Sequence, residues 1–206
     1  MAGADGASRT RWEHRVLAVL AYPANLALAG VAAFLLTVPI VTWLPAWVAA
    51  GRALHRWLTE GDDRVFTTTL REFAATWRRT VPAGLVATVV AAMFVVNLIF
   101  LGSRDTPVAF LLAMAMLPVG VAGLVVAVML PVAAAGRPEA AMREWLTDAV
   151  TLAVTRPLAS VVLVVLVVAF GLTCVLLPTI IPFFGLSVPV WLGLAAAGVG
   201  RGREAG

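Results

Sequence analysis

Groups that could act as nucleophiles, acids, bases or metal ligands are few in this chain and poorly placed for one another. There is one cysteine, Cys174, and there are two histidines, His14 and His55. Eleven acids stand against fifteen basic residues, every one of them arginine. The absence of lysine removes Schiff-base chemistry and the lysine of a phosphate-binding loop. Cys174 cannot form a disulfide within the chain, and its apolar surroundings fit a structural thiol. The histidines are far apart and lack carboxylate or thiol company, so no metal site is expected. No glycine-rich phosphate loop, Ser–His–acid set or zinc spacing occurs. Glu60, Asp62, Asp63, Glu139, Glu144 and Asp148 are the acids an enzyme acting on lipid could use. Their spacing fits solvated helix faces and caps better than a paired-acid site. Glu139-Ala140-Ala141 superficially matches the coupling motif of ABC-transporter permeases, but the glycine expected after it is missing. The expectation is a protein that is not an enzyme, with no catalytic, cofactor-binding or metal-ligating residue.

The elements that would carry these residues are dominated by hydrocarbon. The chain is 62% hydrophobic and 13% charged, with mean hydropathy +0.98; soluble domains carry about 25% charged residues. No Asp, Glu, Lys, Arg or His occurs from Pro157 to Gly200, and the same holds for 82–103 and 106–136. A helix of roughly 20 apolar residues crosses a bilayer. The runs are continuous rather than alternating, which excludes a porin-like barrel. The fold class read from this pattern is an all-α membrane protein, a bundle of about six transmembrane helices with two cytoplasmic interfacial amphipathic helices. Residues 1–15 form a cytoplasmic tail, unstructured at its start; 16–200 form one membrane domain; 201–206 form a second cytoplasmic tail. The spans fall at about 16–38, 40–58, 81–101, 107–135, 158–177 and 183–200, with 40–58 short for a crossing. Between them, 59–80 holds a helix capped by Asp62 or Asp63, with Phe66, Leu70, Phe73 and Trp77 on one stripe. That stripe would face the hydrocarbon while Arg52, Arg56, Arg71, Arg78 and Arg79 reach toward anionic headgroups. In 136–156, Pro138 suits a first helical position, and Met142, Trp145, Leu146, Ala149, Val150 and Ala153 form a second stripe. Arg71-Glu72-Phe73 and Arg143-Glu144-Trp145 are a faint internal echo.

Arginine placement orients the bundle. Six spans with both termini inside put every arginine except Arg104 on the cytoplasmic side. Five spans leave Arg9, Arg11, Arg15 and Arg104 outside, so the positive-inside rule prefers six. The basic pI of about 10.9 is a consequence of this topology. No compact basic face stands free of the apolar runs, and nucleic acid is not an expected partner. No ionisable residue lies in the third to sixth spans, which counts against coupled transport. The polar residues Asn25, Asn97, Thr88, Ser160, Thr173 and Ser187 fit helix–helix hydrogen bonds.

One segment is familiar. Pro39-Ile40-Val41-Thr42 and Pro45-Ala46 precede a helix with Arg52 and Arg56. The acidic turn Glu60-Gly61-Asp62-Asp63 follows, then Phe66, Phe73 and Trp77. This order resembles the YesL family of small bacterial membrane proteins, a domain of unknown function, and Asn25 falls where that family tends to have Asn. Trp43 stands where many members have a small residue. The resemblance is specific from Pro39 to Trp77 and elsewhere rests on length and span number. It implies a multi-pass protein of the bacterial cytoplasmic membrane with an accessory role in ABC-type carbohydrate uptake. The partners it implies are membrane lipid and sugar-transporter subunits, or other copies of itself. No catalytic residue comes with it. Pro39, Thr42 and Pro45 read as a hairpin device. The alternative reading is a small stand-alone transporter or channel acting as an oligomer, with Pro118, Pro131 and Gly120–Gly123 opening backbone near a midplane site.

Overall fold

The computed structural model describes residues 4–199, with side chains from 20 onward except at 40; residues 200–206, with the last arginines, lie outside it. Among the described residues there is helix and turn and no strand. The helices are α1 (Ala4–Leu36), α2 (Trp43–Glu60), α3 (Val65–Gly102), α4 (Pro107–Gly136), α5 (Met142–Thr155), α6 (Pro157–Leu176), α7 (Ile181–Phe184) and α8 (Ser187–Ala196). Short 3-10 turns at Ile40–Thr42 and Pro178–Ile180 precede α2 and α7.

Three helices, α3, α4 and α6, are long and apolar enough to cross a membrane, and α7 with α8 makes a fourth if that pair, bent by 57°, counts as one broken span. The six spans expected above are not all of this kind. The expected span 16–38 falls in α1, whose described side chains give an apolar helix over Leu20–Leu36. The expected span 40–58 corresponds to α2, which carries Arg52, Arg56 and Glu60 and lies in the centre of the bundle. Leu44 to Leu54 of α2 are all buried, against α1, α3, α4 and α8. The backbone is helical from Ala4, where α1 begins, and continues through Pro23; residues 1–3, the start of the expected tail, lie outside the described residues.

The expected interfacial helix in 59–80 does not exist as a separate element. It is the first half of α3, a single helix of 38 residues that passes through Pro82. At 1.5 Å per residue it is about 57 Å long, well beyond a hydrocarbon core of about 30 Å. Pro82 is exposed, and the carbonyl whose bond it removes, that of Arg78, sits in the last charged turn. Of the expected stripe, Leu70 and Trp77 do face outward, Phe66 and Phe73 are half-buried, and the packed side is the one that bears the threonines. Val65, Thr68, Thr69, Glu72, Thr76, Thr80 and Gly84 are buried. The Thr69, Thr76 and Thr80 hydroxyls donate to the carbonyls of Val65, Glu72 and Thr76, four residues earlier. A polar face that satisfies itself can be buried cheaply, and apolar side chains such as Leu70 and Trp77 turned to lipid lose nothing.

The α1–α2 tip sets the depth of the core. Thr42 donates its hydroxyl to the Pro39 carbonyl at 2.6 Å and also lies against that of Leu36. A Cβ on Gly84 would meet the Val41 carbonyl oxygen at 3.0 Å, and Trp43 Nε1 donates to Thr88 Oγ1 at 2.8 Å. The tip therefore rests on α3 at Gly84–Thr88. Beyond that level α3 and the start of α4 stand as a hairpin, exposed at Val89, Met93, Val96, Ile99, Leu111 and Leu117 among others, with Phe94 seated on Gly120. Two close approaches tie the core. Cβ atoms added at Gly30 and Gly51 would fall 1.6 Å from the Phe183 oxygen and 2.6 Å from Pro131 Cβ.

α5 begins at Met142, not at Pro138, because residues 137–141 form a turn that reverses the chain along the end of α4. Of its expected stripe, Trp145 and Ala149 are buried, and Leu146 and Val150 face outward. Arg156 Nη1 donates to the Ala197 and Ala196 carbonyls at 2.9 and 3.3 Å, which brings the start of α6 to the end of α8 and places a cation where the helix dipole favours one.

Candidate functional site

The chemistry-bearing residues converge where the α2–α3 hairpin meets the α4–α5 turn. Gly61 closes α2 with φ +76°, a left-handed conformation that glycine adopts without strain, and its N–H bonds the Trp57 carbonyl at 3.1 Å. Asp62 then organises the start of α3. Its carboxylate accepts from the Arg64 N–H at 3.1 Å and from the Thr68 hydroxyl at 3.0 Å. These two bonds, the first the stronger influence, hold its carboxyl below the ordinary aspartate range, with help from the Arg64 and Arg71 charges. The turn folds α3 back along α2, so residues equally distant from it come together.

Arg52 and Glu72 are such a pair. Arg52 Nη1 lies 3.2 Å from Glu72 Oε2, with side chains 7% and 10% exposed. Arg56 Nη1 takes the other carboxylate oxygen at 3.0 Å and is partly exposed. Arg52 Nη2 donates to the Pro138 carbonyl at 2.7 Å, and Arg79 Nη2 donates to the same oxygen at 2.8 Å. The Arg52 and Arg79 guanidinium carbons lie 5.1 and 5.2 Å from the centre of the Trp145 ring. That ring is fully buried, and its Nε1 donates to the Arg137 carbonyl at 2.8 Å. Arg137 pairs in turn with Asp148. The cluster thus locks α2, α3 and the α4–α5 turn together. Arg52 Nε is buried with no hydrogen-bond partner. Two guanidinium groups, those of Arg52 and Arg56, hold the Glu72 carboxylate, Arg79 joins them through the Pro138 carbonyl, and among the described residues no nucleophile or acid–base pair comes with them. Among the described residues no three His, Cys, Asp or Glu side chains converge as ligands would.

The family-motif residues and the cationic residues divide between this cluster and the surface. Asn25 is buried on α1, Pro45 is buried at the start of α2, and Pro39 is exposed in the turn. Phe73 packs on Ala33, Ala46 and Ala50, and Phe66 is half-buried. Trp77 is 40% exposed, with the Arg78 guanidinium 5.6 Å from its ring. Arg71, Arg78 and Arg79 are exposed, Arg79 while bonded to the Pro138 carbonyl, whereas Arg52 is an interior residue. Glu72, absent from the expected site, carries the cluster. The two echo segments share one ligand rather than one geometry, since Arg52 pairs with Glu72 and stacks on Trp145, and Glu144 stays exposed.

Grooves open on the surface on either side of α5. One, of about 470 Å³, is apolar and lined by Val121 and Val125 of α4, Val150 and Val154 of α5 and Val161 and Val164 of α6. Its one hydroxyl, Ser160, is already bonded to the Ala153 carbonyl. The other, of about 410 Å³, lies beside the cluster and includes His55, Arg137, Asp148 and Thr151. Asp148 there is bound to Arg137, and the His55 Nδ1 is buried without a partner.

Compared with known proteins, the chain matches no family model, no curated relative and no solved structure.

Proposed function

We propose that this chain is a non-catalytic multi-pass protein of the bacterial cytoplasmic membrane, an accessory subunit of a larger membrane complex. The observation that carries this reading is the division of the molecule into two parts. One end is a tightly packed core with an internally paired Arg–Glu cluster. From it project α6 and the α3–α4 hairpin, apolar and exposed on most sides. Such projecting helices have surface to give to lipid and to neighbouring membrane helices, and they hold no charged group that would conduct or bind a polar solute. The resemblance to the YesL pattern adds ABC-type carbohydrate uptake as the process served.

Both termini and the arginine-bearing turns lie on the cytoplasmic side in this reading. α3, α4, α6 and the bent α7–α8 pair cross, and α1 with α2 enters and returns as a re-entrant hairpin. Arginine counting does not separate this from six full spans, because a hairpin returns its ends to one side whatever its depth. Purification in mild detergent, with identification of stoichiometric companions, tests the accessory role. A membrane-transport subunit in constant ratio is the expected result. A chain that purifies alone and supports sugar or ion flux by itself in proteoliposomes overturns it.

A further inference from the structure

Asn97 is an amide on the lipid-directed part of α3, exposed, with only Met93, Phe94, Phe100 and Leu101 one turn away. None of these can hydrogen-bond it through its side chain. Residues 81–102 of α3 make about 33 Å of helix, so Asn97 lies some 7–8 Å inside its far end, within the hydrocarbon. A polar group there is costly unless it finds a partner. The residues beside it form a seam. Val86, Val90, Met93, Asn97 and Phe100 recur at spacings of four and three, and all are exposed, the apolar ones by 53–65%. The neighbouring face, with Phe94 and Leu98, is the one turned to α4 and is half-buried. A four–three repeat is the pattern of a helix packed on another at a small left-handed crossing, and a single Asn in it sets register and the number of strands.

We propose that a second copy of this chain covers the seam, with α3 packed against α3 and the two Asn97 side chains bonded to each other across a two-fold axis. The amide decides the occupant. It carries donors and an acceptor in one group and is therefore complementary to itself, as a two-fold contact between identical surfaces requires. The apolar seam residues on both sides of it would pack on their own equivalents. This rests on the reading of α3 as a membrane span.

The test is disulfide trapping of the full chain in native membranes, in a Cys174→Ala background. Val90→Cys and Met93→Cys should give a dimer of twice the chain mass, while Val95→Cys on the opposite side of α3 and Val161→Cys on α6 should not. Adding Asn97→Leu should lower the dimerisation constant roughly three- to thirty-fold, the range of an interhelical hydrogen bond, and Asn97→Gln should restore part of it. Leucine at a lipid-facing site leaves the fold intact, which unchanged helicity and resistance to carbonate extraction will show. Equal trapping at all four positions, trapping unaffected by Asn97→Leu, or cross-links only to a different protein overturn the proposal while leaving α3 a span. Release of the chain by carbonate overturns the membrane reading and this dimer with it.

Discussion

Arg52 and Glu72 meet at 3.2 Å across the α2–α3 hairpin, ten residues on either side of Asp62, and their pair is shielded from solvent at both ends. Removing one partner of a buried pair leaves the other charge uncompensated, at about 3–5 kcal/mol. Glu72→Gln is therefore expected to destabilise the protein by about that amount in a thermal or denaturant titration in detergent. The double variant Arg52→Met, Glu72→Leu should lose clearly less than the sum of the singles, because apolar replacement of both partners is often near neutral. Additive losses would show that the two side chains do not act as a pair.

Close helix approaches make a second prediction. A side chain at Gly51 would meet Pro131 of α4 at 2.6 Å, and one at Gly30 would meet the Phe183 backbone at 1.6 Å. Gly51→Val and Gly30→Val must push α2 from α4 and α1 from α7, and both should lower the melting temperature sharply. At Gly171, exposed in the C-terminal part of α6, nothing lies within 4 Å. Gly171→Ala should there be neutral or stabilising by up to about 1 kcal/mol, through helix propensity alone.

Asp62 predicts an acid dependence. Its carboxyl is depressed in the folded state by the Arg64 N–H and the Thr68 hydroxyl. A depressed acid contributes stability that is fully present above its unfolded value, about 3.9, and is lost as pH falls through the lower folded value. Wild type should therefore lose stability below about pH 4, and Asp62→Asn should flatten that part of the profile while leaving some of the loss at neutral pH. A melting temperature with the same acid slope in both proteins would remove Asp62 from the account.

The apolar segments α3, α4 and α6 could be read directly from the residues because length and hydropathy alone decide whether a helix can lie in hydrocarbon. The packed side of the first half of α3 could not. Periodicity places Phe66, Leu70, Phe73 and Trp77 on one stripe, of which Leu70 and Trp77 face outward, but it does not show that the neighbouring threonines bond their own backbone and become the inner face. Arg52 reads as a headgroup contact because it stands with His55 and Arg56 at the polar end of an apolar stretch, where long cationic side chains extend to the interface. Its symmetry with Glu72 about the acidic turn was the overlooked signal, since an antiparallel hairpin brings such positions together. Pro138 was placed in a helix by its preference for first turns, whereas its carbonyl serves Arg52 and Arg79 from a loop.

The depth of the α1–α2 tip yields the prediction that separates a re-entrant hairpin from two full spans. Val38 in the tip is 74% exposed, and Trp43, just past the tip, donates to Thr88 of α3. From Thr88 to Gly102 the helix continues for about 21 Å, so in the re-entrant reading the tip stays well short of the far end of α3. A cysteine at Val38, in the Cys174→Ala background, should therefore resist an impermeant maleimide added from outside, while one at Ser103 in the α3–α4 turn should react at once. Reporter fusions at Gly61 would read the same in both topologies. If Val38→Cys labels as readily as Ser103→Cys, the hairpin reaches the outer surface, and α1 and α2 are spans despite the arginines of α2.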